Sequence, residues 1–325
     1  MLYAFVPRDA HVERTEIFSG QPLAPNAIWL DLFEPTVEER ARVEAELGVS
    51  LPSREEMKEI EPSSRLYSEG DAVYMTATVL NRADDPNPSA DPITFVLARR
   101  TLVTLRYVDP RPVTAFATRI ARQPGSCAAA EDALVGLLEA FVDRFADILE
   151  RVSLDLDQTS RTIFDPSPGS DERDMQAVLK TLGRNDDLAS TTRESLLSVS
   201  RVARFLGTTF EAGSKKEQKD LKARLKTLDR DIASLAEHSS FETGKVSFLL
   251  NATLGMINIE QNRIIKLFSV AAVVFLPPTL VASLYGMNFK HMPELDWTFG
   301  YPMAIGLMIL SAIVPYMFFK RKGWF

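Results

Sequence analysis

The chain has 325 residues, a formal net charge of −7 and one cysteine, Cys127. An acidic balance argues against a nucleic-acid binder, which is more often basic, and a single thiol excludes an intramolecular disulfide and fits a reducing compartment. The length allows two compact units; no basic stretch followed by an apolar run opens the chain, so we read no signal peptide and expect the N-terminal part in the cytoplasm.

Residues 1–125 read as a mixed α/β domain. Strands are expected over 2–6, 27–32, 72–79, 93–98 and 102–108, which are rich in β-branched and aromatic residues and bounded by Pro, Gly, Asn or Asp. Pro35-Thr36 opens a charged helix over 37–47 that stops at Gly48, and a shorter helix is expected over 54–60. The tract Asp84-Asp85-Pro86-Asn87-Pro88 marks a loop. No P-loop, G-x-G-x-x-G or nucleophile elbow is present, and His11, His238 and His291 form no ligand motif. Nothing here demands an enzyme.

Residues 126–214 are expected to form an antiparallel helical hairpin against the α/β layer. From Glu131 onward, Leu134, Leu138, Phe141, Phe145, Ile148 and Val152 recur at steps of four and three, a seam of coiled-coil type. Asp165-Pro166-Ser167-Pro168-Gly169 breaks it; a second helix is expected over 171–206, followed by another break over 207–214. Asp155, Asp157, Asp186 and Asp187 could bind a cation, although a solvated helix face is the commoner meaning of such charges.

A third helix starts near Lys215 and meets no proline until Pro277. Leu221, Leu225, Leu228, Ile232 and Leu235 give it an apolar seam, and it can run on into the uncharged stretch that follows. Such a helix exceeds about 60 residues, or roughly 90 Å, and must pack against sibling helices or copies of itself.

Two stretches, 267–289 and 297–319, contain no Asp, Glu, Lys or Arg. Each is long enough to cross a hydrocarbon core of about 30 Å. The expected plan is a stalk over 215–289 whose membrane part is 266–286, an outer loop over 290–296, a second span over 297–319 and a basic tail over 320–325. Arg263 and Lys266 precede the first span, and Lys320, Arg321 and Lys322 follow the second; the loop sets Lys290 against Glu294 and Asp296. Positive charge favours the cytoplasmic side, which puts both termini inside and the loop outside.

Stepping along the helix from Asn251 through Gly255 and Asn258 gives Asn262, Ile265, Ser269, Ala272, Leu276, Thr279 and Ser283. Amides and hydroxyls inside a bilayer should face a protein interior or a water-filled path. A pore and a tightly packed interface both satisfy this pattern. Two spans cannot enclose a pore alone, so a pore requires a cyclic oligomer. Pro277-Pro278 predicts a local bend or loosened turn, and Leu276 beside it is a candidate hydrophobic constriction that gates by dewetting.

Tyr285-Gly286-Met287-Asn288-Phe289, followed by Met292-Pro293-Glu294-Leu295 between two C-terminal spans, resembles the CorA family of magnesium transporters. The runs 258–263 and 274–280, Trp29, Asp31 and the basic end resemble its bacterial members as well. The resemblance implies a homopentameric, funnel-shaped channel in the bacterial inner membrane, with one pore helix per subunit and a large cytoplasmic domain. It implies a selectivity filter at Gly286, Met287 and Asn288, with Asn288 carboxamides ringing the outer mouth, where a neutral ring can hydrogen-bond a hydrated Mg²⁺ without holding it too tightly. Gly286 permits backbone conformations that a Cβ would forbid.

Glu294 and Asp296, repeated around the ring, would concentrate cations, and the family's pore face matches Asn262, Leu276 and Thr279. The family often carries Met where this chain has Leu276. It also implies closure by internal Mg²⁺ bound to acidic residues between cytoplasmic domains, so that Mg²⁺ is both substrate and regulatory ligand; Asp229 and Asp231 lie near the expected part of the stalk. The expected activity is Mg²⁺ influx driven by the membrane potential, with Co²⁺ and Ni²⁺ as adventitious further substrates. The alternatives are a zinc or other divalent-metal transporter of the same superfamily, and a membrane-tethered sensor whose spans only anchor it.

Overall fold

The computed structural model describes residues 1–8, 11–85, 87–123, 127–164, 175–209, 215–288, 292–294 and 296–323. The first part of the chain builds one seven-stranded sheet: β1 (Leu2–Arg8), β2 (His11–Glu16), β3 (Trp29–Phe33), β4 (Leu66–Glu69), β5 (Ala72–Asn81), β6 (Ser89–Ala98) and β7 (Thr101–Arg106). Their spatial order is β2-β1-β3-β7-β6-β5-β4, antiparallel throughout except for the central β3/β7 pair. The five expected strands are all present with shifted ends. The two edge strands, β2 and β4, were not expected, because a strand open to water needs no apolar alternation. In β2 only Val12 is buried.

Helix α1 (Val37–Leu47) has the bounds its sequence predicts. Thr36 accepts from the Glu39 amide while Glu39 caps back, and Gly48 closes the helix at φ 67°. The helix expected over 54–60 is only a 3₁₀ turn, Glu56–Lys58, followed by a one-turn α2 (Pro62–Arg65). Helix α3 (Arg111–Arg122) was not anticipated, although Val113, Phe116, Ala117 and Ile120 line its buried face at helical spacing.

The parallel strand pair is pinned by a buried polar chain. Pairing sets Asp31 opposite Thr104. Trp29 Nε1 donates to Thr104 Oγ1 at 3.0 Å, and Thr104 Oγ1 donates to Asp31 Oδ1 at 2.6 Å. Arg106 then grips Asp31 with both Nε and Nη2 at 2.9 Å, and Phe5 stacks on Trp29 with ring centroids 3.9 Å apart.

Three long helices follow: α4 (Ala130–Phe164), α5 (Met175–Thr209) and α6 (Lys215–Tyr285). The predicted α4 seam is buried along its length, and α4 and α5 pack on the sheet. Their directions follow from cross-links. Arg224 meets Glu139 at 2.8 Å and Lys245 meets Asp157 at 2.5 Å, so α6 runs parallel to α4. Ser239 donates to the Ala189 carbonyl at 2.7 Å while Asp229 meets Arg204 at 2.8 Å, so α6 runs antiparallel to α5. Helices α4 and α5 are therefore antiparallel, as the hairpin reading requires. The break expected at Gly207 does not occur there, because α5 continues to Thr209. The expected break at 165–169, the α5 start at 171 and the rest of the second break lie outside the described residues.

The chain divides into two compact units, Met1–Leu250 and Asn251–Phe325, with the boundary inside α6. The second unit holds the end of α6 and α7 (Gly300–Arg321), and both helices are long and apolar enough to cross a membrane.

Candidate functional site

The apolar half of α6 presents the expected stripe. At 3.6 residues per turn, Asn262, Ile265, Ser269, Leu276, Thr279 and Ser283 fall within an arc of about 100°. All six are exposed on the single chain. Two of the hydroxyls are satisfied locally: Ser269 donates to the Ile265 carbonyl at 2.7 Å and Thr279 to the Leu276 carbonyl at 2.8 Å. Each oxygen keeps acceptor capacity toward water or a cation. The helix assignment runs unbroken through Pro277 and Pro278. Lacking N–H groups, these prolines leave the carbonyls of Val273 and Val274 without their usual i→i−4 donors.

The helix ends at the signature triplet. Gly286 N–H donates to the Ala282 carbonyl at 2.9 Å and Met287 N–H to Leu284 at 3.4 Å; Asn288 follows as exposed coil. Gly286 does not use a positive φ: among the described residues the glycines with positive φ are Gly20, Gly48, Gly70 and Gly323. Its i→i−4 bond keeps it in the last helical turn, where an added Cβ would lie 3.0 Å from the Ala282 carbonyl oxygen.

The stricter glycine is Gly300, which the sequence did not flag. A Cβ there would lie 2.1 Å from the Glu294 carbonyl oxygen, so the loop backbone packs directly on the start of α7. That contact, with Gly300 N–H donating to Trp297 at 2.9 Å, starts the helix at Gly300 and leaves 297–299 as a turn. Glu294 and Asp296 are both exposed on this loop. Phe289, Lys290, His291 and Leu295 lie outside the described residues.

Of the basic residues, Arg263 lies 3.8 Å from Glu260 in a largely exposed pair. Lys266, Lys320, Arg321 and Lys322 make no ion pair among the described residues. Lys322 lies over the Phe318 ring at 5.1 Å.

The two acidic stalk residues have different settings. Asp229 accepts from Arg204 Nε at 2.8 Å and Ser200 Oγ at 3.0 Å, and the Arg204 bond holds its carboxyl below the usual range. A cation there would have to displace a guanidinium. Asp231 is exposed, and its charge helps to raise the carboxyl of Asp143, which burial raises most. Among the described residues no three His, Cys, Asp or Glu side chains are placed to hold a metal ion within one chain, so Asp155, Asp157, Asp186 and Asp187 do not converge. Asp157 instead pairs with Lys245.

The family model for "CorA-like Mg2+ transporter protein" matches residues 26–321. The chain is 40% identical over 325 residues to the magnesium transport protein CorA of Escherichia coli, covering all of both chains. It is 39% identical over 324 residues to the protein of that name from Yersinia pseudotuberculosis, again over the full length of both. The complete structure of the CorA magnesium transporter from Methanocaldococcus jannaschii superposes with a TM-score of 0.75 at 16% identity, covering 100% of this chain and 99% of that one. The family-model match, with 39–40% identity over the full length of the Escherichia coli and Yersinia pseudotuberculosis proteins and a fold of an N-terminal sheet domain, one very long helix and two apolar C-terminal helices, places the chain in the CorA-like Mg²⁺ transporter family.

Proposed function

We propose that this chain is the subunit of a Mg²⁺ influx channel of the bacterial inner membrane, with both termini cytoplasmic. The observation that carries this reading is the exposed polar arc on α6 leading to Gly286, Met287 and Asn288. In a homopentamer five such arcs enclose the conduit, and five Asn288 carboxamides ring its outer mouth. Mg²⁺ sheds water reluctantly and demands six oxygens, so a ring of neutral amides that hydrogen-bonds the hydrated ion suits its capture and release. Ser283, Thr279 and Ser269 offer hydroxyl oxygens further in, with Ile265 and Asn262 beyond them. The donor set is oxygen, which favours a hard ion over a soft one; Co²⁺ and Ni²⁺ pass as hydrated ions of the same charge.

Glu294 and Asp296 draw cations to the mouth. Arg263, Lys266, Lys320, Arg321 and Lys322 form the basic cytoplasmic margin. Moving two charges inward gains about 4.6 kcal/mol per 100 mV of inside-negative potential, so no nucleotide hydrolysis is required. Leu276 forms the constriction, closed by dewetting. Internal Mg²⁺ closes the channel by binding acidic residues between subunits, with Asp231 offering the accessible carboxylate and Asp229 recruited only by displacing Arg204. This is selection between two states by differential binding.

The test is Mg²⁺ uptake into liposomes under an inside-negative potential, wild type beside Asn288→Ala. Uptake by the wild type and its loss in the variant are the expected result. If neither folded, correctly oriented protein passes Mg²⁺, the conduction reading fails and a tethered sensor takes its place.

A further inference from the structure

Asp84 sits among an excess of arginine. Arg111 and Arg144 reach its Oδ2 at 2.7 and 2.8 Å, and Arg151 Nη1 reaches its Oδ1. Arg184 donates to the backbone carbonyls of Asp84 and Asp85 at 3.5 and 3.4 Å. One carboxylate thus faces three guanidinium groups, with a fourth beside them. Nearby carboxylates do not restore the balance. Asp109 is bonded by Arg106, which also holds Asp31. Within the cavity lining Arg82, Arg111 and Arg144 stand beside Asp84, Asp85 and Asp109, and the excess comes from Arg151, bonded to the Asp84 carboxylate, and Arg184, bonded to the Asp84 and Asp85 carbonyls. This surplus stands in a chain whose net charge is −7.

The geometry around this surplus is that of a receptacle. The strand end and loop at Leu80–Asp85, the entry to α3 at Asp109–Pro112, and Arg144 and Ile148 of α4 line a cavity of about 190 Å³. Arg151 does not line the cavity itself; its Nη2 atom, beside the Nη1 that bonds Asp84, is buried and has no hydrogen-bond partner among the described residues. A buried guanidinium donor without a partner is costly, which marks a place for an acceptor. Helix α3 begins at this cavity with no side-chain cap, so its positive end adds to the same field. Among the described residues Asp84 is the one ion-pair partner of Arg111, which is 72% exposed, so it can swing to admit an anion without disturbing the core.

We propose that this cavity binds a phosphoanion, either free phosphate or the phosphate group of a nucleotide, held by Arg111, Arg144 and Arg151. A tetrahedral dianion offers several oxygens to separate guanidinium groups, whereas the planar Asp84 carboxylate offers two and carries less charge. Asp84 is then the resident occupant that the ligand competes with. The site lies wholly within Met1–Leu250 and does not depend on the conduction reading.

The experiment is isothermal titration calorimetry on the full-length protein in detergent, free of Mg²⁺ and with chelator present, using sodium phosphate and then ATP. Saturable binding is expected. Arg111→Ala should weaken it roughly tenfold, the scale of one charged hydrogen bond. Asp84→Asn should tighten it several-fold, because a competing charge is removed. Thermal unfolding of each variant confirms that it is folded. Tighter binding of ATP than of phosphate identifies a nucleotide as the ligand, and equal binding identifies free phosphate. No saturable heat from either probe, or binding unchanged by both substitutions, overturns the proposal.

Discussion

Asp31 is 2% exposed, and its two oxygens take three donors from Thr104 and Arg106. Asp31→Ala would leave the Arg106 guanidinium buried beside Asp109 with its main partner gone. Breaking a buried pair on one side costs about 3–5 kcal/mol, far more than an exposed pair contributes. We expect the thermal midpoint of the full-length protein to fall markedly in Asp31→Ala, whereas Glu260→Ala, which removes the exposed partner of Arg263, should leave it nearly unchanged. Equal midpoints for the two variants would show that the sheet centre does not rest on this pair. The sequence marked Trp29 and Asp31 by resemblance, but their shared purpose appears only once β3 and β7 are seen side by side. Gly300 is the reverse case. Its need for a bare Cα comes from a backbone six residues earlier, which no local pattern records.

Among the elements, legibility followed burial. α1 was readable to its ends because its cap, Thr36 with Glu39, and its stop, Gly48, are written locally. The α4 seam and the continuous α6 were readable because long apolar periodicity has few other meanings. Edge strands β2 and β4 left no such trace, and α3 was overlooked despite a clear buried face because it follows β7 after a short Pro-containing turn. Within α6, Leu276 stands on the same arc as Ser269 and Ser283 and is 64% exposed on the single chain. If the arc lines a pore, Leu276 is its large aliphatic group nearest the prolines, and a polar side chain there should keep the constriction wet. On the proposed closure by internal Mg²⁺, Leu276→Asn is therefore expected to pass Mg²⁺ at internal concentrations that shut the wild type, measured as liposome uptake against a series of internal Mg²⁺ loads. Closure at the wild-type concentration would place the constriction elsewhere on the helix.

For the molecule as a whole, the long helices pack through buried apolar faces and are cross-linked by ion pairs, and these pairs make Met1–Leu250 sensitive to acid. Asp84 fastens the loop after β5 to α3 and α4, Asp229 fastens α6 to α5, and Asp157 fastens α4 to α6. The carboxyl pKa of each is lowered, chiefly by a hydrogen bond from Arg151, Arg204 and Lys245 respectively. A depressed pKa in the folded state means that folding favours the ionised form. The stabilisation is complete above the ordinary carboxylate value of 3.8 and is lost as pH falls through the lower folded values. Asp143 runs the other way: burial raises its carboxyl, so its contribution is complete below the ordinary value and is lost as pH rises through the folded one. Glu56, lowered by its hydrogen bonds from Ser53, adds to the three lowered aspartates, so the lowered carboxyls give a net loss of stability in acid. The thermal midpoint of the full-length protein should therefore fall as the pH drops below about 4. Asp84→Asn should flatten that fall by removing one of the titrating ties, and Asp143→Asn should remove the gain in midpoint that accompanies acidification toward 3.8 from above, leaving the fall below it unchanged. If both variants follow the wild-type curve with a constant offset, acid sensitivity comes from other carboxylates and these ties do not govern it.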